Sequence, residues 1–130
     1  GGETGVDFLE LERETRLATR FLDDILDHNN FPDPAITAAA MATRKLGLGV
    51  MGWADMLAGL RIPYDSDTAL VLAEKVMGGI QRWAYSESQK LAAEKGTYPA
   101  WQQGIEEGFI INGFNPNWLG LPTLRNATRT

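Results

Sequence analysis

Apolar side chains recur at steps of three and four along the first part of the chain, which is the spacing of one helix face. This pattern predicts a helix from Phe8 to about His28, with Asp7 as its N-cap. Its predicted buried stripe consists of Phe8, Leu11, Leu17, Ala18, Phe21, Leu22, Ile25 and Leu26. Its predicted solvent-facing side carries the charged residues Glu10, Glu12, Arg13, Glu14, Arg16, Arg20 and Asp23.

Two shorter helices are predicted after a loop that contains two prolines. Asp33 as N-cap and Pro34 at the first helical position begin the second helix. This helix continues through an alanine-rich run and ends near Lys45. A third helix is predicted from Val50 to Leu60, and the Ile-Pro-Tyr-Asp sequence that follows ends it.

The longest helix is predicted from Asp67 to Lys95, because Ser66 is a favourable N-cap and Gly96 a favourable C-terminal stop. The Gly78-Gly79 pair in its middle predicts close packing or a bend. Its predicted apolar face consists of Ala69, Ala73, Val76, Ile80, Ala84 and Leu91. The charged residues predicted to be exposed on it are Glu87, Lys90, Glu94 and Lys95.

Regular periodicity fades after Gly96. Residues 101–107 fit a short helix, whereas residues 109–123 are interrupted by glycine and proline and are predicted to be irregular. Residues 124–130 could begin a strand. The pattern therefore predicts a mainly α fold with one helical domain over residues 1–130, of which 1–108 are helical and 109–130 form a tail.

Composition narrows the possible functions. The chain has 130 residues, 44% of them hydrophobic, which is enough to build one core. A net charge of −5 argues against a nucleic-acid surface, and no apolar run approaches the roughly 20 residues of a membrane span. The first five residues lack the features of a secretory signal. The absence of cysteine excludes disulfides, thiolate metal sites and thiol nucleophiles within these residues.

The segment from Gly47 to Gly52 matches the G-x-G-x-x-G pattern of dinucleotide-binding proteins, and Asp65 follows at a suitable distance. That chemistry needs a strand leading into the glycine turn and a second strand carrying the acid. Here a predicted helix precedes the glycines, and Asp65 follows a proline in a predicted loop. The sequence therefore favours a tight connection between helices over a nucleotide site.

The sequence gives little support for a metal-binding or ligand-binding site. Asp24 and His28 lie four residues apart on the first helix, but no second histidine completes a metal site, so we predict a solvated helix end. Ser86 and Ser88 have no histidine near them in the sequence to activate them. The four tryptophans are predicted to be core or interface anchors rather than a ligand cage. They are Trp53, Trp83, Trp101 and Trp118.

Five segments, in order, resemble the large, catalytic subunit of ribonucleotide reductase. The clearest runs from Arg44 to Asp55 and reads RKLGLGVMGWAD, followed at the family's spacing by IPYDS at residues 62–66. The others are FLDDILD at 21–27, LAAEKG at 91–96 and LRNAT at 124–128. The MGWAD sequence at residues 51–55 is most similar to that of the adenosylcobalamin-dependent branch. Arg61 departs from the glycine usual in the family, and residues 109–123 do not align in detail.

The resemblance implies a cytoplasmic enzyme of deoxyribonucleotide biosynthesis for DNA replication, built as a ten-stranded α/β barrel. In the family, a cysteine thiyl radical abstracts the ribose 3′-hydrogen and a cysteine pair reduces C2′. Those cysteines lie upstream of the matching segment, and the substrate-phosphate loop lies just downstream. The resemblance therefore implies no catalytic, cofactor-binding or metal-binding residue in this chain, and it assigns adenosylcobalamin to the parent enzyme. It implies a helical segment outside the barrel that leads into a barrel strand.

Three hypotheses follow from these residues. The first is a reductase segment that is inactive alone, with the remaining parts of the reductase or a second copy as its partner. The second is a stand-alone helical interaction module derived from the reductase, and the third is a small nucleotide-binding protein that uses the glycine segment. Neither nucleic acid nor a membrane is an expected partner. The predicted interaction surface consists of Trp53, Met56, Leu57, Trp118 and Leu121.

Overall fold

The computed structural model describes residues 5–101 and 124–126. Within them, the chain forms four helices, which confirms a mainly α fold. Their bounds are α1 Phe8–His28, α2 Pro34–Thr43, α3 Trp53–Gly59 and α4 Asp67–Lys95. Residues 124–126 are irregular, and the rest of the predicted tail, like the predicted short helix beyond residue 101, lies outside the described residues.

The predicted helix caps are confirmed at three N-termini. Asp7 Oδ1 accepts a hydrogen bond from the Glu10 amide at 3.0 Å, and Asp33 Oδ1 accepts one from the Ala35 amide at 2.7 Å. Ser66 Oγ accepts one from the Ala69 amide at 3.2 Å. Each bond satisfies an amide that has no partner within its own helix. The bounds of α1 and α4 therefore agree with the prediction residue for residue.

The predicted start of α3 at Val50 is wrong, because the helix begins at Trp53. Gly52 has φ +75°, which lies in the left-handed region and cannot continue into a right-handed helix. At the end of α2, Arg44 also adopts a left-handed conformation, with φ 46°, so this helix ends at Thr43. Both helix boundaries are set by single residues with positive φ.

The first core cluster joins α3 to the first half of α4 and to the start of α1. Its buried members are Val6, Leu57, Ala69, Leu72, Val76 and Ile80. Phe8, Leu11, Trp53, Met56, Leu60 and Ile62 pack against it and are partly buried. Three of the six residues predicted for the apolar face of α4 belong to this cluster, namely Ala69, Val76 and Ile80.

The second core cluster packs the chain after α4 against the second half of that helix. It consists of Tyr85, Tyr98, Trp101 and Leu124, with Ala100 beside it. The rings of Tyr98 and Trp101 meet edge to face at 5.5 Å. The Tyr98 amide donates to the Leu124 carbonyl at 3.2 Å, which holds residues 124–126 on this cluster. Trp101 is therefore a core anchor, as predicted.

The predicted buried stripe of α1 is wrong in part, because Phe8 and Leu11 pack against the first core cluster but three of its other members are exposed. The buried residues of this helix are Thr15, Thr19 and Asp23, whereas Phe21 is 62% exposed and Leu17 is 60% exposed. Both threonine hydroxyls donate to carbonyl groups one turn earlier, at 2.7 and 2.8 Å, so they can be buried without another partner. A polar line spaced at four residues therefore faces α4.

The glycine pair of α4 confirms the prediction of close packing. Gly79 is buried, and a Cβ atom there would lie 2.8 Å from the Trp83 ring one turn further along. The missing side chain thus leaves room for the indole against the helix. No helix in the described part of the chain has the length and apolar character needed to cross a membrane.

Candidate functional site

The most highly organised polar site in the described structure is a buried ionic cluster around Asp23. Asp23 is 0% exposed, although the sequence predicted it on a solvent-facing side. Its Oδ1 accepts hydrogen bonds from Arg44 Nη2 at 2.8 Å and from Asn126 Nδ2 at 2.9 Å. The prediction is wrong because two segments distant in sequence cover this side chain and donate hydrogen bonds to its Oδ1. We call Asp23, Asp27, Arg44, Lys95, Arg125 and Asn126 the Asp23 cluster.

Arg44 is the main cation of this cluster. Its guanidinium also donates to the Asp23 carbonyl at 3.1 Å and to Asp27 Oδ1 at 2.7 Å. The left-handed conformation of Arg44 ends α2, and its side chain reaches back to α1. Arg44 therefore joins the end of the second helix to the last two turns of the first.

Charge pairing keeps Asp23 ionised. Burial by itself would raise the pKa of Asp23, but hydrogen bonds from Arg44 and Asn126 and the charges of Arg44 and Arg125 together lower it below its usual value. The pKa of Asp27 is also lowered, chiefly by its hydrogen bond from Arg44. A buried carboxylate with this set of partners is an ion-pair site and has no proton to donate near neutral pH.

Two further cations approach from the C-terminal end of α4. Lys95 Nζ lies 2.8 Å from Asp24 Oδ1 and 3.7 Å from Asp23 Oδ2. Arg125 Nε lies 3.4 Å from Asp23 Oδ1, and its Nη1 donates to the Lys95 carbonyl at 3.2 Å. The cluster therefore binds the last turn of α4 as well as the ends of α1 and α2.

Asn126 completes the site with four hydrogen bonds and no exposure. Its Nδ2 donates to Asp23 and, at 3.2 Å, to the Arg44 carbonyl. Its Oδ1 accepts from Ser88 Oγ at 3.1 Å, and its own amide donates to the same hydroxyl at 3.1 Å. Asn126 begins an Asn-Ala-Thr acceptor pattern for glycosylation, but its burial leaves no room for a sugar.

A second ion-pair site lies further back along the same two helices. Glu87 on α4 is buried, which makes the prediction of an exposed charge wrong at this position. Its carboxylate accepts from Arg16 Nη1 at 3.1 Å and from Arg20 Nε, both on α1. Arg20 also binds Glu94 at 2.8 and 2.9 Å. Because α1 lies across this part of α4, Glu87 is covered while Lys90 and Glu94 stay exposed.

The residues considered for catalysis or binding do not come together in one site within the described structure. His28 Nδ1 contacts the Asp24 carbonyl at 2.9 Å, and the Asp24 carboxylate pairs with Lys95. Among the described residues, no group of three or more histidine, cysteine or acidic side chains could hold a metal. The segment from Gly47 to Gly52 follows α2 rather than a strand, which contradicts the geometry that a dinucleotide site requires.

The predicted interaction surface is only partly described. Leu57 is 1% exposed and belongs to the core, because α3 turns it toward α4, so it is not available at a surface. Trp53 and Met56 are half-buried against the same cluster, and their role in an interface stays a prediction. Trp118 and Leu121 lie outside the described residues.

The sequence contains one signal for the Asp23 cluster that the apolar pattern hides. Thr15, Thr19 and Asp23 are spaced four residues apart, so they lie on one line along α1. Small hydroxyl side chains in line with an acid indicate a polar contact with a neighbouring helix. The cations that complete the contact come from distant segments, and periodicity carries no information about them.

Comparisons with known proteins agree on one family. A family model described as the barrel domain of ribonucleotide reductase matches residues 2–116. The vitamin B12-dependent ribonucleoside-diphosphate reductase of Mycobacterium tuberculosis is 50% identical over 95 residues, which are 73% of this chain and 14% of that protein. The protein of the same name from Thermoplasma acidophilum is 51% identical over 96 residues, which are 74% of this chain and 12% of that protein.

The match extends to reductases whose names do not mention vitamin B12. The large chain of ribonucleoside-diphosphate reductase from Neurospora crassa is 35% identical over 105 residues, or 80% of this chain and 11% of that protein. The chain thus spans about one seventh or less of the length of these curated relatives.

Proposed function

The chain belongs to the ribonucleotide reductase barrel-domain family, and we propose that it is a structural segment of a vitamin B12-dependent catalytic subunit, without reductase activity of its own. Identity of about one half to two relatives named as vitamin B12-dependent supports that branch. The parent enzyme would reduce ribonucleotides to deoxyribonucleotides for DNA replication in the cytoplasm. The remaining parts of the reductase polypeptide are the proposed partner.

The Asp23 cluster is the observation that carries this proposal. It joins α1, the end of α2, the end of α4 and residues 124–126 through hydrogen bonds and ion pairs that centre on the buried Asp23 carboxylate. Its acidic and basic groups pair with each other, which suits a scaffold better than a reaction centre. The 130 residues also contain no cysteine, so they cannot supply a thiyl radical or a dithiol reductant.

We place the vitamin B12 cofactor of the parent enzyme on other parts of its polypeptide. A groove of about 430 Å³ lies between α1 and α4, and its exposed lining is mostly apolar. A corrin ring carries amide side chains around its rim, and these need polar partners when they are buried. The described residues of this groove do not fit that group, so we assign no cofactor contact to them.

A hybrid enzyme tests the proposal. In it, this chain replaces the matching segment of the Mycobacterium tuberculosis relative, and deoxyribonucleotide formation is measured with adenosylcobalamin and a dithiol. We expect the hybrid to form product and the isolated chain to form none. Product from the pure isolated chain would contradict the proposal, and so would a folded hybrid that binds nucleotide and cofactor but does not react.

A further inference from the structure

The last three described residues are fixed to the helical part of the chain through their backbone. The Leu124 carbonyl accepts a hydrogen bond from the Tyr98 amide at 3.2 Å. The Arg125 amide donates to the Ser88 carbonyl at 3.2 Å, and the Asn126 amide donates to Ser88 Oγ at 3.1 Å. Three consecutive residues that belong to no helix thus each have a backbone bond to a distant part of the chain.

The side chains of this short segment are anchored in two different places. Leu124 packs in the second core cluster, whereas Asn126 is fully buried in the Asp23 cluster. Arg125, which lies between them, donates to the carbonyls of Lys95 and Gly96 at 3.2 and 3.3 Å. An apolar anchor and a polar anchor two residues apart therefore hold the segment in one position and one direction.

The polar anchor has the donors and the acceptor of an asparagine. Asn126 Nδ2 donates to Asp23 Oδ1 at 2.9 Å and to the Arg44 carbonyl at 3.2 Å, and its Oδ1 accepts from Ser88 Oγ at 3.1 Å. An aspartate would place a second carboxylate against Asp23, and an apolar side chain would leave all three groups with one partner fewer. Buried polar groups that satisfy each other specify a single arrangement.

The main packing of the helices does not involve this segment. Within the described residues, the first core cluster joins α3, α4 and the start of α1 without any member from residues 124–126. The ion pairs of Glu87 with Arg16 and Arg20 also hold α1 on α4 independently of it. The hydrogen bonds of Asn126 therefore order the segment itself more than they order the helices.

We propose that Asn126 is a positioning residue of the parent enzyme, and that Asp23 and Ser88 hold it so that the polypeptide after it begins at a fixed place. This inference rests on the proposed function. The described residues bring no reacting groups together, so such exact placement serves the polypeptide that follows. A displacement of about 1 Å near a substrate can cost about a hundredfold in rate. Asn126 thereby sets how tightly the parent enzyme holds its ribonucleotide, without touching the ribonucleotide itself.

Steady-state kinetics of the hybrid enzyme test this inference. Ser88→Ala leaves the amide and the Oδ1 of Asn126 without that hydroxyl, and Asn126→Ala removes the anchor. We expect each substitution to raise the KM for the ribonucleotide at least about fivefold, at equal concentrations of folded enzyme. Ser86→Ala is the matched control, because Ser86 Oγ accepts from Arg16 at 3.1 Å on the same helix. We expect its KM to equal that of the unsubstituted hybrid.

The split between KM and kcat separates positioning from stability. A purely structural role would lower the amount of folded hybrid, and with it the apparent kcat, but would leave the KM unchanged. Amide hydrogen exchange provides the second readout. In the Ser88→Ala hybrid we expect faster exchange at residues 124–126 and unchanged protection of α4.

Two results would overturn the inference alone and leave the proposed function intact. One is an active unsubstituted hybrid whose KM is changed by neither Ser88→Ala nor Asn126→Ala. The other is a loss of protection in α4 caused by Ser88→Ala, because the hydroxyl would then support the helices as a whole. A folded unsubstituted hybrid that does not react would contradict both this inference and the proposed function.

Discussion

At the scale of single residues, the energetics of this chain centre on two buried carboxylates. Asp23 and Glu87 both lie on the contact between α1 and α4, and each accepts hydrogen bonds from more than one partner. Burying a charge is costly unless partners replace the lost water. The cost of removing one member therefore depends on what remains buried without a partner.

Asp23→Ala should be strongly destabilising, because it leaves the buried guanidinium of Arg44 with part of its charge unpaired. We expect a loss of about 3–5 kcal/mol in the free energy of unfolding. Asp24→Ala is the matched control, since Asp24 is the next residue and pairs with Lys95 at the surface. Its expected cost is about 0–1 kcal/mol. Urea unfolding measures the free energy of unfolding of both variants. A loss for Asp23→Ala as small as the loss for Asp24→Ala would show that the Asp23 cluster is not stabilising.

The lowered pKa of Asp23 makes stability depend on pH. Its folded-state pKa lies below the ordinary value of 3.8, so folding favours the ionised form of the Asp23 carboxylate. The resulting stabilisation is fully present above the unfolded-state pKa and is lost as the pH falls through the folded-state value. We expect Asp23→Asn to have a shallower loss of stability below about pH 4 than the parent chain. Parallel pH profiles of the two proteins would contradict this assignment.

At the scale of elements, local chemistry determines the helices, and tertiary contacts determine which side of each is buried. Caps at Asp7, Asp33 and Ser66 act within one turn, so they could be read from the sequence. The start of α3 could not, because it depends on the left-handed conformation of Gly52. Apolar periodicity also failed to identify the buried Thr15 and Thr19 of α1, because these threonines satisfy their own hydroxyls on the helix.

The glycine pair of α4 gives a prediction at this scale. Gly79→Ala should destabilise the chain relative to Gly78→Ala, although both add a better helix former. A Cβ atom on Gly79 meets the stiff Trp83 ring at 2.8 Å, whereas one on Gly78 meets the flexible end of Arg82 at 3.3 Å. We expect Gly78→Ala to raise the free energy of unfolding by up to about 1 kcal/mol through helix propensity. We expect Gly79→Ala not to raise it. Thermal unfolding of both variants measures the difference, and an equal gain would show that the indole moves freely.

At the scale of the whole molecule, α3 and the start of α1 pack against α4, whereas other parts of the described surface expose apolar side chains. Several large apolar side chains on α1 are exposed, as is the segment that precedes α3. Those on α1 are Leu9, Leu17, Phe21 and Ile25. Large exposed apolar side chains in such number fit a segment that is covered by more polypeptide. The sequence motifs predicted the family, whereas the Asp23 cluster could not be predicted, because its members are up to 103 positions apart.

The central claim is that this segment supplies structure and no reacting group. The hybrid enzyme tests it most directly when its remaining candidate groups are removed together, as His28→Gln, Asp65→Asn and Ser86→Ala. We predict a kcat for deoxyribonucleotide formation equal to that of the unsubstituted hybrid, at equal concentrations of folded enzyme. A loss of kcat of about tenfold or more, or about 1.4 kcal/mol in the activation free energy, with unchanged folding would contradict the claim.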